Sequence, residues 1–115
     1  MTQPTIDPAT FAELQETAGA EFVRELVDTF LVEAPLMLDD LKSALAAGDA
    51  DRFRRAAHSI KSNSNTFGAL TLGAMARELE LSGIDQALAA GPVPIDALVA
   101  EYARAAAALE ELTRA

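Results

Sequence analysis

DRFRRAAHSIKSNSNTFG, residues 51–68, holds the only histidine of this 115-residue chain, His58. It also holds Arg52, Arg54, Arg55 and Lys61, four of the nine basic residues of a protein with net charge −9. At about 100° per residue, a helical wheel places Phe53, Ala56, Ile60 and Phe67 on one side, with Ala57 and Ser64 at its flank. His58 falls on the opposite side, among Asp51, Arg54, Arg55, Lys61, Ser62 and Asn65. The stretch therefore reads as an amphipathic helix whose histidine faces solvent.

Working outward, the whole chain reads as helices. Upstream, Asp7 can cap a short helix with Pro8 in its first turn, where the missing N–H costs nothing. Phe11 and Leu14 give that helix one apolar side, and Gly19 ends it. From Ala20 to Ala47, Phe22, Leu26, Phe30, Met37 or Leu38, Leu41 and Leu45 recur at helical spacing. Pro35 lies inside this run, so a kink or short break is expected there. Gly48-Asp49 stops that helix and caps the next. Downstream, Gly68 closes the opening stretch, and a helix follows from about Ala69 to Ala89 with Leu72, Met75, Ala76 and Leu79 on one side. Gly83 should loosen its middle. Gly91-Pro92-Val93-Pro94 is a firm breaker. The last helix carries Ile95, Leu98, Tyr102, Ala105, Leu109 and Leu112. No segment shows sustained strand alternation. The expected architecture is all-α: an antiparallel up-down four-helix bundle with a short additional N-terminal helix, forming one domain over residues 1–115.

Composition narrows the classes of function. Half of the residues are apolar, which suits a folded domain. With no cysteine there is neither a disulfide framework nor a cysteine-based zinc site. The segment MTQPTIDPAT lacks the basic and apolar regions of a signal peptide, and no apolar run approaches the roughly 18 residues of a bilayer span. A cytoplasmic protein is expected. The negative charge argues against nucleic acid and anionic membranes as partners.

A lone histidine is by default an ordinary surface or core residue, and the basic cluster alone is by default a solvated helix face. Here the neighbours change the weighting. Lys61 at i+3 and Ser62 at i+4 can both reach a group held on the ring, with Asn65 one turn further. An exposed neutral imidazole is nucleophilic. An anion carried on it would be stabilised by Lys61 and by the hydroxyl and amide donors.

The segment AAHSIKSNSNTFGAL, Ala56 to Leu70, resembles the signature of histidine-containing phosphotransfer (HPt) domains. The matching elements are Ala57-His58, Ile60-Lys61-Ser62, the polar Asn65 one turn on, and Phe67-Gly68. Leu72 and Leu79-Glu80 match the helix that follows in that family, and ELVDTFLVEAPLMLDDLKSALAAGD, residues 25–49, matches the one that precedes. The resemblance implies that His58 accepts a phosphoryl group from a receiver-domain aspartate and passes it to another receiver, with Lys61 stabilising the phosphoryl group. Ser62 stands where the family often has glycine. Arg54, Arg55, Gly68 and Arg77 are assigned to the partner-binding surface. Glu78 and Glu80 are candidates beside Arg77, and each of the three taken singly reads by default as ordinary solvated charge. Partners implied are response-regulator receiver domains and, further, a hybrid histidine kinase. No cofactor is expected in this chain; a divalent metal would belong to the receiver. The chain is expected to be a monomer and a free-standing relay.

No P-loop or ATP-binding domain is visible, so the expectation is a phosphocarrier and not an enzyme. The main alternative is a helical interaction module that binds a receiver or kinase without carrying phosphate. A carboxylate-bridged metal bundle is disfavoured, because Arg55 occupies the position where a Glu-x-x-His motif would need glutamate.

Overall fold

A computed structural model describes residues 4–114. Met1–Gln3 and Ala115 lie outside the described residues, and with them the start of the segment read for a signal peptide and the outermost bounds of the domain. The elements are α1 (Pro8–Ala18), α2 (Ala20–Ala47), α3 (Ala50–Thr66), α4 (Leu70–Ala90) and α5 (Val93–Thr113). Among the described residues there is no strand. The long helices pack in a closed ring: α2 on α3, α3 on α4, α4 on α5 and α5 back on α2. Helix α1 rests on α2 and α3.

The helix ends follow the local chemistry. Asp7 accepts a hydrogen bond from the Thr10 backbone N–H at 3.0 Å and caps α1. Asp49 does the same for α3 through Arg52 N–H at 3.1 Å. Gly48 closes α2 in the left-handed region, with φ 71°. At Pro35, where a kink or short break was expected, there is no break and the helix runs on. Pro35 is exposed while Ala34 and Leu38 are buried, so the lost hydrogen bond falls on the side that water can serve. Gly83 behaves as expected: with φ 83° and ψ 175° it interrupts α4 and re-aims its last turns. Ile84 and Ala87 are thereby buried.

The core is aliphatic with a small aromatic cluster. Phe53, Leu41, Leu72, Leu98, Leu109, Val23 and Val27 are completely buried. The Phe30 ring lies 5.2 Å from Phe67 and 6.0 Å from Tyr102, centroid to centroid. Such pairs add about 0.5–1.5 kcal/mol each beyond their buried area. Burial pushes the Tyr102 phenol up, with the Glu110 charge adding to it. The α2 stripe needs a correction. Phe22 is 52% exposed, and the buried set is Val23, Val27, Phe30, Ala34, Leu38, Leu41 and Ala44. The register is one residue later at the helix start, where Phe22 projects past the core. On α5, Leu112 is likewise exposed. Glu101 is buried on the same helix and accepts two hydrogen bonds from Arg104, at 2.7 and 3.0 Å.

At the end of α3, Gly68 adopts φ 86°. Its carbonyl accepts the Asp7 N–H at 2.8 Å, and a Cβ there would stand 3.0 Å from the Asp7 carbonyl oxygen and 3.1 Å from Thr10 Cβ. Gly48 has a similar φ but open space around it. Alanine at either position meets the left-handed penalty of about 1–2 kcal/mol. Gly68→Ala is therefore expected to lower the unfolding free energy more than Gly48→Ala in matched denaturant melts. Equal losses would mean that the close approach between α1 and the α3–α4 turn contributes nothing to stability.

Candidate functional site

Helix α3 is held with one face inward. Phe53, Ala56, Ala57, Ile60 and Ser64 are buried, as the wheel requires. The opposite face carries His58, whose side chain is 55% exposed, and the exposed Ser62 and Asn65. Asp51 sits in the first turn of α3, where a carboxylate complements the helix dipole.

Helix α4 supplies what the wheel of α3 cannot show. Its buried residues Leu72, Gly73, Ala76 and Leu79 set its inner face and leave Glu80 at the edge beside α3. Glu80 Oε2 lies 2.8 Å from His58 Nδ1, and Oε1 lies 2.9 Å from Lys61 Nζ. The carboxylate side chain is only 14% exposed and that of Lys61 24%. Lys61, then His58, hold the Glu80 carboxyl below the ordinary glutamate value, against the opposing effect of burial. An ionised carboxylate can only accept hydrogen bonds. Nδ1 is thus assigned the proton, and the Nε2 lone pair is left without a partner among the described residues, on the exposed side of the ring.

The contact depends on how closely the two helices approach. A Cβ on Gly73 would overlap Asn65 Oδ1. Asn65 thus lies against the α4 backbone, and among the described residues no hydrogen bond joins it to His58. Two turns back along α3 and two turns on along α4, the same antiparallel register sets His58 opposite Glu80.

The remaining cations of α3 are tied up on α3 itself or on α2. Arg54 and Arg55 both pair with Asp51, at 2.8 and 3.1 Å. They hold its carboxyl below the usual aspartate value, Arg54 through its hydrogen bond first and Arg55 through its charge. Arg52 pairs with Asp40 across to α2. None of these pairs includes His58 or Lys61. Arg77 and Glu78 are exposed on α4. Gly68 is buried beneath Asp7 and Thr10, which corrects its assignment to a partner surface: it shapes the α3–α4 turn. Ser62 is exposed beside His58, and its carbonyl accepts the Thr66 hydroxyl at 2.9 Å.

His58 lines none of three open depressions on the surface of the described residues. The open depression of about 340 Å³ next to it is lined by Met37, Asp40, Arg52, Arg55, Ala56 and Ser59. Among the described residues, no group of three His, Cys, Asp or Glu is placed to hold a metal ion. A nucleophilic nitrogen on a side chain that is 55% exposed suits a reaction partner that brings its own pocket, more than a small molecule that needs enclosing. Glu80 is the residue that sequence reasoning undervalued, because its pairing arises only across two helices.

Three comparisons with known proteins bear on this geometry. The profile of the Hpt domain family matches residues 25–114. The crystal structure of histidine-containing phosphotransfer protein B (HptB) from Pseudomonas aeruginosa PAO1 is similar with a TM-score of 0.87 and 32% sequence identity, over 98% of this chain and 97% of that one. No curated protein matches the sequence.

The Glu80 contacts can be read by titration. A carboxyl held below its ordinary value adds stability above that value, and the contribution is lost as pH falls through the lowered one. In carboxyl-detected NMR, the Glu80 midpoint is expected below the ordinary glutamate range. Lys61→Met should raise it more than His58→Gln does, since Lys61 is the larger cause. A midpoint that ignores both substitutions would dissolve the cluster.

Proposed function

Because this chain belongs to the Hpt domain family and is a histidine phosphotransfer module of a two-component phosphorelay, we propose that His58 is its phosphoryl carrier. The observation behind this assignment is the pairing of an outward Nε2 with an Nδ1 held by Glu80 at 2.8 Å. Hpt domains work with response-regulator receivers as phosphocarriers and not as kinases.

The step follows from the ring's protonation. The Nε2 lone pair attacks phosphorus of the receiver's aspartyl phosphate. The Nε2–P bond forms as the P–O bond to the aspartate breaks, and the aspartate leaves as a carboxylate with the bonding electrons. The ring keeps its Nδ1 proton and becomes cationic, facing the Glu80 carboxylate that stabilises it. Transfer onward is the reverse step against a second receiver. Lys61, one turn from His58, supplies charge to the phosphoryl oxygens; Ser62 offers a hydroxyl and little bulk. Positioning and charge carry such a displacement, with little other work for the protein.

The chain is read as one domain over residues 1–115, an antiparallel up-down four-helix bundle with α1 against one end. The closed ring of helix contacts and the short connections support that reading. No cofactor or nucleotide is assigned to it, and the divalent metal of the reaction belongs to the receiver. Receivers dock over the His58 face, with Arg54, Arg55 and Arg77 at its margins, and a hybrid histidine kinase is a further partner. A monomer working in the cytoplasm, with no nucleic-acid or membrane partner, completes the reading. No helix among the described residues is long and apolar enough to cross a membrane.

The test uses receiver domains of the source organism charged with radiolabelled phosphoryl groups. The wild-type protein is expected to take up label that is acid-labile and alkali-stable, and His58→Gln none. Removing one charge-stabilising donor from a closed site slows chemistry by roughly 100-fold. Lys61 is partly open to water, so Lys61→Met should slow uptake by about 10-fold or more. Uptake by His58→Gln equal to wild type would refute the carrier assignment and leave an interaction module that carries no phosphate.

A further inference from the structure

Lys61 has two claimants. Its Nζ stands 2.9 Å from Glu80 Oε1, in an ion pair whose side chains are 24% and 14% exposed. The phosphoryl group on His58 would need the same ammonium. We propose that Glu80 tunes the transfer potential of this site by competing with the His58 phosphoryl group for Lys61. The proposal rests on His58 being the carrier, and it assigns Glu80 a second action besides holding Nδ1.

The two actions oppose one another. Through Oε2, the carboxylate stabilises the ring cation that forms when Nε2 binds phosphorus, which favours the phosphorylated state. Through Oε1, it withholds Lys61 from the phosphoryl oxygens, which disfavours that state. The ion pair is sheltered enough for the competition to count, since shielding from water strengthens a charge pair. Arg54 and Arg55 do not fill the gap, because both are paired with Asp51 a turn or more away. Among the cations of α3, Lys61 alone pairs with the carboxylate that holds the ring. A carrier must release what it accepts. A lysine shared between a carboxylate and a phosphoryl group keeps the phosphohistidine from becoming too stable to pass on.

Glu80→Gln removes the charge behind both actions, and combining it with Lys61→Met isolates the one that runs through the lysine. The glutamine carbonyl can still accept the Nδ1 proton, so the ring keeps its orientation, while the negative charge that holds Lys61 is gone. The measurement is the equilibrium fraction of phosphorylated protein against a receiver that labels the wild type. It is taken for wild type, Lys61→Met, Glu80→Gln and the double variant. Lys61→Met is expected to lower that fraction in both backgrounds, with at least a three-fold larger loss in the Glu80→Gln background, where the lysine is fully committed to the phosphoryl group. An equal loss in both backgrounds means no competition; a smaller loss in Glu80→Gln means Lys61 acts only through Glu80. Either result overturns the proposal. Should Lys61→Met disturb folding by circular dichroism, Lys61→Gln gives the same comparison. Failure of the carrier assignment is distinct, because label would then persist in His58→Gln.

Discussion

The close antiparallel contact of α3 with α4 is the constraint on which the site depends. Gly73 permits it, lying beneath Asn65 where a Cβ would overlap that side chain, and the small Ala57 of α3 and Ala76 of α4 are fully buried. Larger side chains there would hold the helices apart, since interhelical distance follows the residues at the contact. Glu80 would then reach neither His58 nor Lys61. Phe53, Ile60 and Phe67 fix the rotation of α3 from behind, and Leu72 and Leu79 fix that of α4. The site is therefore a product of two helix rotations and one helix separation, each set by the core.

The electrostatics follow from the same seam. In a protein of net charge −9, a cationic face could be expected to act as a diffuse positive patch. Arg52, Arg54 and Arg55 instead pair with Asp40 and Asp51, and exposed pairs of that kind contribute about 0–1 kcal/mol each. Among the described residues, the charged groups paired at His58 are Glu80 and, through it, Lys61. The ring is held by a partner on another helix, and its side chain is 55% exposed.

Much of this was legible in the chain. The caps at Asp7 and Asp49, the stops at Gly19, Gly48 and Gly68, and the inward set Phe53, Ala56, Ile60 and Phe67 are local chemistry, written in a few neighbouring residues. The departures have physical causes. Phe22 and Val23 are both apolar and adjacent, and only packing decides which of them the core admits. Pro35 leaves α2 unbroken, standing on the exposed side of the helix while Ala34 and Leu38 face the core. Glu101 is buried within an apolar stripe because Arg104 satisfies it from the next turn.

The sequence by itself determined five helices, the outward face of α3, and His58 with Lys61 and Ser62 upon it, because helical periodicity converts spacing directly into direction. It also carried the resemblance that named the family. Only the tertiary structure decided which carboxylate meets them. Glu78 and Glu80 look alike along the chain, and the choice between them depends on the rotation and separation of α4 against α3. That choice turns Glu80 from solvated charge into the group that sets the tautomer of His58 and holds Lys61.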